Sequence, residues 1–121
     1  MVKILLIEDE KMLADMYKEK FVEAGYKIVF SPNAEEGIEI AKKEKPDLII
    51  LDILLQKANG ISFLEKLRND LDIASIAVVA FSNLDDPETR KRAMNLGVKD
   101  YLIKTNYTPQ EIIDEIKKYL K

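Results

Sequence analysis

The sequence contains no cysteine and no histidine. Without cysteine there is no disulfide and no thiolate metal site, and the redox setting is not encoded. Without histidine the commonest general base and the commonest zinc ligand are missing, and no phosphohistidine can form on these residues. No apolar run is long enough for a membrane helix, and Met1-Val2-Lys3 leads straight into a strand with no signal peptide. A cytoplasmic setting without membrane contact is expected. Positive charge is not in excess either: 19 Lys and Arg face 22 Asp and Glu, for a net charge of −3. A mildly acidic chain is a poor wrapper of a phosphate backbone, so direct nucleic-acid binding is not expected. Repeats, low-complexity tracts and linkers are also missing.

What remains suits one compact domain over residues 1–121, with 47% hydrophobic and 34% charged residues. A core of that size needs no staples. Its organising stretch is Asp47-Leu48-Ile49-Ile50-Leu51-Asp52. Four apolar residues without polar alternation mark a strand buried on both faces, as in the middle of a parallel sheet. Pro46 bars a helix from entering it. Lys3 to Ile7 is a second such run and ends in Glu8-Asp9-Glu10.

The rest alternates. Leu13, Met16, Tyr17, Phe21 and Ala24 recur at helical spacing from Met12, and Gly25 follows as the stop. Lys27 to Phe30 is a short strand. Asn33 with Glu36 resembles a capping box opening a helix through about Lys43. After the Asp52 strand, Gly60 breaks the loop and Ile61 to Leu67 is helical. Ile76 to Phe81 is an apolar strand ending at Ser82. Asp86-Pro87 starts a helix that stops at Gly97. Tyr101 to Ile103 is a strand stopped by Lys104. Thr108-Pro109-Gln110-Glu111 is a full capping box, and Ile113, Ile116 and Leu120 form the buried stripe of the closing helix. About five strands alternate with five helices, which predicts an α/β parallel sheet with helices on both faces.

A parallel sheet brings its strand ends to one edge, and ligands collect there. Glu8 and Asp9, Asp52, Ser82 and Lys104 therefore converge. Taken singly, Asp52 and Ser82 most often cap turns, and Lys104 would be a solvated charge. Taken together, the carboxylates call for a divalent cation such as magnesium, while Lys104 and Ser82 can meet anionic oxygens. The set describes a phosphoryl site with Asp52 as nucleophile. The basic run Arg90-Lys91-Arg92 reads as a solvated helix face.

These residues also carry a resemblance. Leu6-Ile7-Glu8-Asp9-Glu10, Pro46 through Asp52, Gly60 eight residues after Asp52, Phe81-Ser82, Gly97 and Asp100 through Lys104 resemble the CheY-like receiver domain of two-component response regulators. Each fragment is weak alone, but the ordered set spans nearly the whole chain and is specific. The resemblance implies a flavodoxin-like doubly wound five-stranded sheet in the order 2-1-3-4-5. It implies phosphoryl acceptance on Asp52 from a sensor histidine kinase or phosphotransfer protein. Asp9, Asp52 and the Leu54 carbonyl would bind Mg2+ directly and Glu8 through water. Ser82 and Lys104 would hold phosphoryl oxygens, and Tyr101 would be the switch aromatic that turns inward. Output would pass through the fourth helix, fifth strand and closing helix to a downstream protein, a fused output domain or a second copy of the chain. Such a module is not an enzyme beyond self-catalysed phosphotransfer and autodephosphorylation.

Three departures stand out. Gln56 replaces a common proline, which predicts a looser loop. Glu8 replaces a frequent aspartate. Thr105 follows Lys104 where the family usually has a cis proline, so a trans bond is expected. Leu54 and Leu84, two residues past Asp52 and Ser82, are expected to shield the phosphoryl group from water and lengthen its lifetime. Rival readings meet obstacles. A haloacid-type phosphatase needs an acid where Leu54 stands. A flavodoxin-like FMN site would be repelled by Glu8-Asp9-Glu10. A degenerate scaffold would not retain every required residue type.

Overall fold

The structure, a computed structural model, describes residues 1–55 and 59–120. The expectation for Gln56 lies outside the described residues. Five strands form one parallel sheet: β1 (Lys3–Ile7), β2 (Lys27–Ser31), β3 (Leu48–Leu51), β4 (Ala77–Ser82) and β5 (Asp100–Ile103). Their order is β2-β1-β3-β4-β5, as the resemblance implied. The helices are α1 (Lys11–Glu23), α2 (Ala34–Glu44), α3 (Gly60–Asn69), α4 (Pro87–Asn95) and α5 (Pro109–Ile116).

The unbroken apolar runs are explained by burial on both sides. Leu48 through Leu51 are all buried. Leu5, Ile7, Ile49, Leu51, Val78 and Ala80 face one core, with residues of α2, α3 and α4. Ile4, Leu6, Leu48, Ile50, Val79 and Phe81 face the other, with residues of α1 and α5. Among the described residues no helix is long and apolar enough to cross a membrane.

Local chemistry sets most helix ends where the sequence placed them. Asp86 and Thr108 cap their helices ahead of a proline, and Thr108 and Glu111 complete a capping box. Gly25 and Gly97 take positive φ at helix ends. Three expectations need correction. Gly60 does not break the loop but is the first residue of α3, behind the cap Asn59. Ala24 is an exposed cap rather than part of the α1 stripe. The closing helix ends at Ile116 and buries Ile112, Ile113 and Ile116. A short 3-10 turn, Lys117–Tyr119, then leaves Leu120 only partly buried.

α4 is the least embedded helix, with Ala93 its only buried residue. Its C-terminal end is tied down from α3 instead. The Arg68 guanidinium donates to the carbonyls of Leu96 at 2.7 Å and Gly97 at 3.2 Å, and to those of Ala74 and Ile76 before β4.

Candidate functional site

Sheet register assembles the site. Ile7 pairs with Leu51, so the next residues, Glu8 and Asp52, leave adjacent strands side by side. Ser82 pairs with Ile103, so Lys104 emerges beside them one residue further on. All four are buried; Glu8 is 1%, Asp52 5% and Lys104 9% exposed. The Asp52 amide donates to the Ile7 carbonyl at 3.0 Å, which fixes the root of the carboxylate.

The Lys104 ammonium bonds to both carboxylates, to Glu8 and, at 3.1 Å, to Asp52. It also lies 5.4 Å from the centroid of the Phe81 ring, which Tyr17 meets edge-on at 5.1 Å. Burial works against the charged ammonium, but Glu8 and Asp52 outweigh it and hold the Lys104 pKa above its ordinary value. Asp52 moves up as well, to about 6. Burial is the main cause and Glu8 adds to it, against the pull of Lys104 and of the Leu54 amide. Two buried carboxylates thus share one ammonium.

Asp9 joins them. Glu8, Asp9 and Asp52 each offer a carboxylate oxygen within 4.8 Å of the others. An all-oxygen donor set without thiolate or imidazole suits a hard divalent cation. Beside it is a cavity of about 260 Å³ lined by Asp9, Glu10, Asp52, Leu54, Asn83 and Lys104. The Leu54 amide donates to Asp52 at 3.0 Å, while its side chain is 50% exposed at the cavity mouth. Leu84 packs against the core. Of the two leucines expected to shield the site, only Leu54 lines it.

Gly60 supports the same loop. Its amide donates to the Ile53 carbonyl at 2.8 Å. A Cβ here would lie 2.8 Å from the Ile53 Cα and 2.9 Å from the Asp52 carbonyl oxygen.

Ser82 is fully buried, and its hydroxyl accepts from the Leu84 amide at 3.1 Å. Tyr101 lies inward, and its hydroxyl donates to the Leu84 carbonyl at 2.7 Å. Burial, first among the causes, pushes its pKa up. Among the described residues no peptide bond is cis, the Lys104–Thr105 bond included. The structure brings Glu8, Asp9, Asp52, Leu54 and Lys104 together at the sheet edge, with Ser82 ending the neighbouring strand and Tyr101 linked to it through Leu84, whose side chain is turned to the core. It adds Phe81 under Lys104 and the Leu84 main chain between Ser82 and Tyr101. Phe81 could have been noticed as the aromatic directly before Ser82; a main-chain role has no sequence signal.

Residues 4–117 match the family described as "Response regulator receiver domain". A probable C4-dicarboxylate response regulator of Halalkalibacterium halodurans is 38% identical over 108 residues, covering 86% of this chain and 45% of that protein. The chain spans about half the length of the curated relatives it matches. A solved two-component response regulator from Clostridium difficile has a TM-score of 0.90 at 29% identity, covering 99% of this chain and 96% of that one. The chemotaxis protein CheY4 of Vibrio cholerae has a TM-score of 0.91 at 21% identity and covers 99% of both chains, a likeness of fold.

Proposed function

The chain belongs to the response regulator receiver family, and from that membership we propose that residues 1–121 are a single receiver domain that accepts a phosphoryl group on Asp52. The carrying observation is the Asp52 carboxylate itself, buried at the end of β3 with Lys104 at 3.1 Å and two further carboxylates beside it. These residues contain no histidine, so a phosphohistidine donor has to come from outside them, on a sensor histidine kinase or phosphotransfer protein. An Asp52 oxygen attacks the donor phosphorus, the P–O bond forms as the P–N bond breaks, and the donor imidazole leaves. Lys104 and Ser82 hold the oxygens on which charge gathers. Mg2+ held by Asp9, Asp52 and the Leu54 carbonyl would neutralise further charge on those oxygens. Glu8, which also accepts from Lys104, would act on the ion through water, as the resemblance implies.

The site serves signalling rather than turnover of a substrate, and the setting is cytoplasmic. Contacts of Ser82 and Lys104 with the phosphoryl group would reshape the face made by α4, β5 and α5, with Tyr101 as reporter. A downstream protein, a fused output domain or a second copy would dock there. Mass spectrometry after incubation with acetyl phosphate and Mg2+ tests the core claim. One phosphoryl mass is expected on the wild type and none on Asp52→Asn; no gain, or a gain that survives the substitution, overturns it.

A further inference from the structure

Arg90 belongs to a basic run that reads as a solvated face, and Lys91 and Arg92 fit that description. Arg90 is exposed too, yet its guanidinium folds back over Tyr101. The guanidinium carbon is 5.6 Å from the ring centroid. One of its nitrogens donates to the Tyr101 carbonyl at 3.5 Å. At its far end the ring is held by the Leu84 carbonyl. α4 buries only Ala93, and Arg68 ties only its C-terminal end. The Arg90 contact is therefore a polar tie between the body of α4 and β5.

We propose that Arg90 is a positioning residue for Tyr101, a cationic clasp that sets how much of the time the ring stays buried. A guanidinium over an aromatic face attracts it through the ring quadrupole, and the carbonyl bond fixes the guanidinium in place. Opening Tyr101 breaks the clasp, so Arg90 favours the same inward ring that phosphoryl acceptance is proposed to favour. That consequence rests on the switching role proposed for Tyr101; the clasp itself does not.

The test is 19F NMR of the full chain carrying 3-fluorotyrosine, with the Tyr101 signal assigned through Tyr101→Phe among the five tyrosines. The readout is the exposed fraction of that ring, from accessibility to a soluble paramagnetic agent. An exposed cation–π contact predicts that Arg90→Met raises the exposed fraction roughly two- to five-fold. Arg90→Met keeps an apolar cover of similar length, and Arg90→Lys, which keeps the charge, should fall between it and the wild type. Equal exposure in wild type and Arg90→Met overturns the clasp, because simple covering would then suffice. Beryllofluoride with Mg2+ separates the two readings. If it leaves Tyr101 unmoved in the wild type while Arg90→Met still exposes the ring, the clasp stands and the switch fails. If it moves Tyr101 while Arg90→Met changes nothing, the clasp fails alone.

Discussion

Ser82 and Tyr101 are joined through the main chain of Leu84. The Leu84 amide donates to the Ser82 hydroxyl, and the Leu84 carbonyl accepts from the Tyr101 hydroxyl. If Ser82 turns toward a phosphoryl oxygen, the amide loses its acceptor and the loop has reason to shift. The carbonyl that holds Tyr101 moves with it, because one residue carries both groups.

Tyr101→Phe removes the hydroxyl that donates to the Leu84 carbonyl and that also acts on the Ser82 side chain. It should cost about 1 kcal/mol in urea unfolding, the usual net value of a buried hydrogen bond. Ser82→Ala removes a group that would contact the phosphoryl oxygens, and should slow labelling by acetyl phosphate roughly tenfold. Equal labelling rates in Ser82→Ala and wild type would count against that contact.

Asp52 makes stability depend on pH in an unusual direction. Burial, with Glu8, raises its pKa from 3.8 to about 6. Between those values the folded carboxyl binds more protons than the unfolded one, so this group's contribution falls as pH rises through the window. Asp52→Asn leaves Lys104 paired with Glu8 alone. The variant should gain stability over the wild type at pH 7 and show little gain at pH 4, read as urea midpoints in chelator. A gain that is the same at both pH values would show that Asp52 is not shifted upward.

Gly60→Ala should damage the site from a distance. The added methyl group meets backbone atoms of Asp52 and Ile53, which cannot swing aside, as well as the end of the Ile53 side chain at 3.0 Å. A cost of about 1–3 kcal/mol is expected, with slower phosphoryl acceptance as the loop after Asp52 is displaced. Wild-type stability and labelling would show that the loop has room to yield.

Leu54 is the exposed side chain to test for phosphoryl lifetime. It sits at the cavity mouth with Asn83, and it cannot orient a water. Leu54→Asn should speed autodephosphorylation roughly tenfold at fixed Mg2+ if it supplies one transition-state hydrogen bond. Leu84→Glu places a charge against the core, and its main effect should be a lower unfolding midpoint. Should phosphate leave Leu54→Asn no faster than wild type, the lifetime is set by another group, with Asn83 the next to replace.

The sequence alone determined the layered fold and the inventory of the site. Unbroken apolar runs such as Leu48 to Leu51 report burial on both faces, and a run ending in a carboxylate places that carboxylate at the sheet edge. Capping chemistry at Asp86 and Thr108 marked helix starts because it acts within four residues. Only the tertiary structure decided which groups touch. That Lys104 bonds Glu8 as well as Asp52 follows from register between strands distant in sequence. That Leu84 packs inward while Leu54 faces the cavity follows from where each loop turns after its strand. Arg90 could not be told from Lys91 and Arg92 by residue type. A periodic pattern encodes which face of an element is covered, but the direction of a long flexible side chain depends on what the neighbouring element offers, here the Tyr101 ring.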